Sequence, residues 1–381
     1  MKVLHASLHL GSRGGGVMSY VRGLTEAQVS IGVEPVWVSG DSDEESRTVP
    51  ACSWDWHFGK SSSDRLGMGI GSPVLKQLDG LVDAADVVHL HALRSYFGWR
   101  VYRCAKRHAK PVVVSPHGGM HPWLLEQRKF RKFVLDVLWE RRLYRGADAF
   151  LAMSEDEATH IREHVPGATV EAVPIGIHLE GYGDDRCREG FEKQHPQLRG
   201  KRWLVYCSTW SERKGVPDLV TAWAKVHAKH PDWVLVVAGR DLSGIGDELK
   251  RKAAESIKPE SIAFVGELDE DEKLRLFACS DIHILPSHSE AFGISILESL
   301  ASSRPVLTTT GAPWPELEKR GAGVRVAPGV ESVSRAIQDM LGRSPEELDQ
   351  MGECGRRYAE SEFAWSVVAE RVSALYRRVG A

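Results

Sequence analysis

Short runs of apolar residues alternate along this chain with longer stretches whose apolar positions recur at helical spacing, the pattern of βαβ units around a parallel sheet. Residues 2–8 read as a first strand and a glycine cluster from Gly11 to Gly16 follows it. Residues 17–31 then carry helical spacing through Val17, Tyr20, Val21 and Leu24. Further strands are predicted at Glu34–Ser39, Asp86–Leu90, Lys110–Ser115, Asp148–Met153 and Val170–Val173. The polar, charged residues 181–200 interrupt the alternation, and the stretch Pro174–Gly200 reads as an inter-domain crossing. Beyond it the pattern restarts, with strands at Trp203–Cys207, Trp233–Ala238, Ile262–Val265, Ile282–Leu285 and Pro305–Thr308. Helices are predicted over Gly215–His230, Glu270–Ala278 and Ile294–Ser302. Ala364–Val379 makes a last amphipathic helix, with Val367, Val368, Val372, Leu375 and Tyr376 on its apolar side.

Two α/β domains follow, 1–174 and 201–363, with the helix 364–379 expected to pack back on the first. A length of 381 residues suits two cores. Sheets of this kind bind ligands beyond the carboxyl ends of their strands, so two facing halves would form a cleft. A net charge of −3 leaves no basic field for nucleic acid. The six cysteines are scattered without a CxxC pair, which fits neither a zinc site nor a disulfide framework and suits a reducing compartment. The opening residues read as a strand rather than a signal peptide, and no run approaches the ~20 apolar residues of a membrane span. The expected location is cytoplasmic.

The most informative segment is 286–302. A strand ends at Leu285, a loop carries Glu290, and Phe292-Gly293 opens a helix that bears Glu298. Glycine there lets the backbone approach a ligand, and the free N–H groups of a helix N-terminus favour phosphate. A carboxylate beside such a site accepts hydrogen bonds from vicinal sugar hydroxyls. Phosphate donors between two acidic acceptors describe a nucleotide diphosphate-sugar. The same residues also read simply as a loop acid and a solvated helix acid.

The SEAFGISILE run, with its two glutamates eight positions apart, resembles the signature of the retaining GT-B glycosyltransferases of family 4. The resemblance extends over nearly the whole chain. It takes in Gly14-Gly15-Gly16, His117-Gly118, Ser154-Glu155, Pro174 to Ile177, Lys214-Gly215 and Phe264 to Leu268, in the right order. It implies a GT-B fold of two Rossmann-like domains facing across a cleft. Glu290 would hold hydroxyls of the donor sugar, Glu298 the ribose, and the backbone of Phe292, Gly293 and Ile294 the diphosphate. Gly266 to Leu268 would lie against the base. Lys214 matches the family's phosphate-binding lysine, whereas Thr209 stands where the family has arginine, a charge that Arg213 could supply. Ile175 replaces the asparagine of the family's Pro-Asn-Gly motif.

In the first half, Gly15 and Gly16 mark a close backbone approach to donor phosphates or acceptor. As a dinucleotide fingerprint the cluster fails, because Ser19 stands where the third glycine belongs. His117 resembles the family's active-site histidine, and a neutral or protonated imidazole there could bond the transferring sugar or the departing phosphate. His89 and His91 are read to opposite faces of their strand, His91 being the better site candidate. Trp314 and Glu316 are read either as lining the donor pocket or as part of a rigid proline-rich turn. Residues 126–146 are read as a basic helix, seven positive against three negative charges, suited to an anionic membrane surface or a lipid pyrophosphate, or else simply packed on the sheet.

The implied reaction is transfer of a sugar, with retention, from a UDP- or GDP-linked donor to a hydroxyl of a glycan, lipid-linked or small-molecule acceptor, in surface polysaccharide assembly. No cofactor and no metal are expected. A nucleotide-sugar epimerase or phosphorylase of the same fold, a non-catalytic sugar-binding protein and a dinucleotide-dependent oxidoreductase are the competing readings.

Overall fold

In the computed structural model, residues 1–11, 15–40, 53–60, 68–91, 94–120, 139–182, 188–290 and 292–380 are described. The chain divides into two units, one from Met1 to Gly176 with the last helix added, the other Ile177–Ala364. Each is built on one parallel sheet.

In the first unit the strands are β1 (Lys2–Ser7), β2 (Glu34–Ser39), β3 (Asp55–Phe58), β4 (Val87–His91), β5 (Val112–Ser115), β6 (Ala149–Ala152) and β7 (Val170–Ala172). They lie in the order β3-β2-β1-β4-β5-β6-β7. Central strands covered on both faces are buried along their whole length, as β4 and β5 are, and their few polar side chains, His89, His91 and Ser115, are hydrogen-bonded. The strand order reverses between β1 and β4, so the loops after these strands open where such a sheet takes a ligand.

Helix Trp365–Gly380 closes this unit. Its Val368, Ala369, Val372, Leu375 and Tyr376 share one core with Tyr20, Val21 and Leu24 of helix Gly15–Ser30. The Trp365 indole fits there because Gly23 and Gly176 leave room: a Cβ on either would sit 2.3 Å from the ring.

The second unit carries β8 (Arg202–Cys207), β9 (Trp233–Ala238), β10 (Ile262–Gly266), β11 (Ile282–Leu285), β12 (Val306–Thr309) and β13 (Gly323–Val326), in the order β10-β9-β8-β11-β12-β13. Its reversal lies between β8 and β11. The polar stretch read as a crossing is largely part of this unit. Phe191 and Leu198 are buried in its core with Trp203. Arg188 lies over the Trp203 ring at 4.7 Å and pairs with Asp281 at 3.1 Å. Two apolar anchors among polar residues suffice to dock the segment, and composition averaged over the stretch hides them.

Candidate active site

The second unit gathers its chemistry at the β8/β11 reversal. Ser211 caps the short turn Glu212–Lys214 by accepting from the Lys214 N–H, and Gly215 leaves that turn at φ +71°. A Cβ on Gly215 would lie 2.0 Å from the Pro286 carbonyl oxygen, so only glycine lets the loops after β8 and β11 touch. Two further bonds join the loops: His288 N–H donates to the Arg213 carbonyl and the Arg213 guanidinium to the Ser289 carbonyl, each at 2.9 Å. Arg213 thus serves the loop backbone.

The contact aims Lys214 at Glu290. Their ammonium and carboxylate form an ion pair, with side chains only 12% and 7% exposed. Burial pulls the lysine down from its ordinary value, and the Glu290 carboxylate works against that shift. The Glu290 N–H donates to the Gly311 carbonyl at 2.8 Å, which pins the loop to the segment after β12.

Gly293, at φ +90°, turns the chain into helix Ile294–Ala301. Phe292 is buried with its ring centroid 5.2 Å from that of Trp314, and the Trp314 indole N–H donates to the Phe292 carbonyl at 2.5 Å. Of the two readings of Trp314, the turn is therefore the one observed. Trp314 is 2% exposed and supports the backbone ahead of the helix, while Glu316 pairs with Lys319 at 2.8 Å. Ile294 is exposed at the helix start.

Glu298, one turn into that helix, is buried and meets the Lys273 ammonium at 2.7 Å. Burial raises its carboxyl above the ordinary value against the pull of Lys273. Lys273 stands on helix Glu270–Cys279, which starts just after Leu268 with Asp269 and Glu272 as a capping box. Leu268 is half-buried against the core of this unit. Sequence reasoning missed Lys273. The signal available was indirect: a glutamate on an otherwise apolar helix face needs a cation.

In the first unit, helix Gly15–Ser30 begins at Gly15, and a Cβ built on Gly16 would meet nothing within 4 Å. Gly14 lies outside the described residues. His117 follows β5 in the left-handed region at φ +51°, with Gly118 at φ +78° after it. Glu157 holds this turn, accepting from the Gly118 N–H at 2.6 Å and the Met153 N–H at 2.8 Å. Burial lowers the His117 imidazole to about 4, so it is neutral near pH 7.

His89 and His91 do not point to opposite faces. Side chains two positions apart on a strand share a face, and these two ring centroids are 3.9 Å apart. His91 reaches His117, Nδ1 to Nε2 at 3.1 Å, whereas His89 is held by Tyr376 Oη at 2.6 Å and Ser115 Oγ at 2.7 Å. With His5 from β1 these two bring ring nitrogens within 4.8 Å of one another, a grouping no linear spacing announces. Each of those nitrogens already has a hydrogen-bond partner.

Most of the basic segment 126–146 lies outside the described residues. Of its described end, Arg141, Arg142 and Arg145 are exposed on helix Arg141–Gly146, while Glu140 is buried and accepts from the Tyr144 hydroxyl at 2.6 Å. No helix among the described residues is long and apolar enough to cross a membrane.

Two Rossmann-like units, each a parallel sheet with its site loops at the strand-order reversal, have the architecture of a GT-B fold. Residues 188–358 match the family model described as glycosyl transferases group 1, and residues 14–180 match that of glycosyltransferase family 4. The chain is 30% identical over 302 residues to a glycogen synthase of Mycobacterium tuberculosis, covering 76% of this chain and 68% of that one. It is 28% identical to a phosphatidyl-myo-inositol mannosyltransferase of Propionibacterium freudenreichii, covering 97% and 93%. Among solved structures, the Anabaena protein HepE in complex with UDP aligns with a TM-score of 0.78 at 16% identity, covering 99% of this chain and all of that one. The chain belongs to glycosyltransferase family 4, and it is a glycosyltransferase.

Proposed function

We propose that this protein transfers a sugar, with retention at the anomeric carbon, from a nucleotide diphosphate donor to a hydroxyl of a glycan or lipid-linked acceptor in surface polysaccharide assembly. The observation that carries the reading lies in the second unit: two buried carboxylates, each with its own lysine, flank the N-terminus of helix Ile294–Ala301. The donor diphosphate lies against the free N–H groups behind Gly293, with Lys214 as counter-charge. Glu290 accepts from hydroxyls of the transferring sugar and Glu298 from the ribose, while Leu268 packs on the base.

In the reaction the bond from the anomeric carbon to the diphosphate oxygen breaks and a bond to the acceptor oxygen forms on the same face. The acceptor proton passes to the departing phosphate. Lys214 and the helix N-terminus stabilise the charge that develops there, as fixed dipoles do when aimed at a leaving group. His117 of the first unit serves the transferring sugar, and Gly16, where a Cβ would meet nothing within 4 Å, leaves room for substrate near the start of its helix, which begins at Gly15. With Lys214 and the helix N-terminus as charge compensation, the route needs no metal and no resident cofactor, the UDP- or GDP-linked sugar being co-substrate. The enzyme works in the cytoplasm, and Arg141, Arg142 and Arg145 suit peripheral contact with an anionic membrane face.

Thermal stability with UDP, GDP, ADP and NAD in turn tests the reading. A ligand at ~100 times its dissociation constant adds about 2.7 kcal/mol when it binds only the native state. One nucleoside diphosphate is expected to stabilise the wild type and not Glu298→Ala. Stabilisation by NAD alone, or by no diphosphate, would overturn it.

A further inference from the structure

Three histidines of the first unit, His5, His91 and His117, form a line. Gln28 Oε1 lies 3.1 Å from His5 Nε2, His5 Nδ1 lies 3.0 Å from His91 Nε2, and His91 Nδ1 lies 3.1 Å from His117 Nε2. His5 is fully buried and His91 is 2% exposed, so no bulk water substitutes for a missing partner. Three hydrogen bonds thus run from a glutamine in the core to the turn after β5.

A neutral imidazole has one N–H and one lone pair, so a row of imidazoles must donate in a single direction. The amide at the inner end sets that direction. The Gln28 carbonyl oxygen only accepts, so His5 donates to it from Nε2 and accepts at Nδ1. His91 then donates from Nε2 to His5, and His117 from Nε2 to His91. The reverse order would set two lone pairs face to face at Gln28 and His5, in a place without water. The amide nitrogen at the other end is buried without a hydrogen bond, while the Tyr376 hydroxyl is engaged by His89.

We infer that Gln28, acting through His5 and His91, holds His117 in the tautomer protonated at Nε2, so that the remaining nitrogen, Nδ1, is an obligatory hydrogen-bond acceptor. This rests on the reading of His117 as the histidine that serves the transferring sugar, and it narrows that role. An acceptor nitrogen takes a hydrogen bond from a sugar hydroxyl. It cannot bond a phosphate oxygen, which is also an acceptor. Gln28 and His5 are positioning residues, since they reach the reaction only through His91 and His117.

The test is the tautomer itself, read by long-range 1H–15N correlation on the full chain labelled at histidine, at neutral pH and without substrate. The His117 signals are identified by their loss in His117→Asn. The wild type is expected to show His117 protonated at Nε2 with an imine-type Nδ1. In Gln28→Leu the direction is no longer set and His117 is expected to become a mixture of tautomers, three bonds from the substitution. If that variant does not fold, His5→Phe breaks the line one link nearer and is expected to do the same. A wild-type His117 protonated at Nδ1, or a His117 pattern unmoved in both variants, would overturn the inference. In turnover, Gln28→Leu is expected to lose about tenfold in kcat, the scale of one hydrogen bond, at unchanged donor KM. Failure of the donor reading shows elsewhere, as the absence of any stabilising nucleoside diphosphate.

Discussion

Lys273 and Glu298 meet at 2.7 Å from different helices, and Lys273 also reaches Glu270 on its own helix at 3.0 Å. Glu298 is the more deeply buried member, so the pair is better described as a cation brought to a buried carboxylate than as a surface bridge. Removing the cation leaves a charge that water cannot reach. Lys273→Met is expected to lower stability by about 3 kcal/mol, the lower part of the range for a broken buried pair. It also raises the Glu298 carboxyl further, because the group that favours its ionised form is gone. The double variant Lys273→Met with Glu298→Gln is expected to recover most of the loss in urea unfolding. Additive losses would show that the two side chains do not depend on each other.

Lys214 stands in the same relation to Glu290, but at the end of the helix where phosphate is proposed to lie. Hydrogen bonds to charged groups contribute ~1.5–3 kcal/mol. Lys214→Ala is therefore expected to weaken nucleoside diphosphate binding by about 10- to 100-fold in titration calorimetry. Glu290→Gln is expected to leave diphosphate affinity within a few-fold and to reduce turnover much more strongly, since its partner is the sugar. Equal losses of affinity in both variants would mean that Glu290 acts on the diphosphate through Lys214 and not on the sugar.

Gly215 and Gly32 separate two costs of replacing glycine. Both have positive φ, +71° and +77°. A Cβ on Gly32 meets nothing within 4 Å, whereas on Gly215 it would lie 2.0 Å from the Pro286 carbonyl oxygen. Gly32→Ala is expected to cost about 1 kcal/mol, the conformational part alone. Gly215→Ala must also push the loops after β8 and β11 apart. Its thermal midpoint should fall several times further, with loss of nucleotide binding.

Periodicity made most strands and the closing helix legible, because a strand covered on both faces reads as a largely apolar run, as Trp233–Ala238 does. It did not reveal β3, whose Asp55–Phe58 is only half-buried at a sheet edge and mixes charge with aromatics. Of the candidate site, Glu290, Gly293, Glu298 and Lys214 stand close to one another because their motifs lie at strand ends, and sequence order records strand ends. Lys273 and the partners of His117 are joined only through packing. The misreading of His89 and His91 was of another kind, since a period of two assigns both to one face. The structure also gave Arg213, expected on phosphate, a loop carbonyl to hold.

Buried neutral histidines are expected to make the protein labile to acid. Burial lowers His5 and His283 to about 3 and His117 to about 4, and holds His89 and His91 well below their ordinary value. The unfolded chain takes up these protons near pH 6.5 and the folded chain only far below it. In that interval the unfolded state binds more protons, so stability falls as the pH drops from about 6.5 towards 4, at about 1.4 kcal/mol per pH unit for each independent group. His283 is the member that can be removed cleanly. Both its ring nitrogens are buried without a hydrogen bond, and its neighbour is the Phe277 ring at 5.2 Å. His283→Leu removes two unsatisfied polar atoms, so its stability at pH 7 is expected to equal or exceed that of the wild type. Between pH 6 and 4 its unfolding free energy should fall less steeply, by the share of one proton. A parallel fall in the two proteins would mean that His283 is not neutral and buried in the native state.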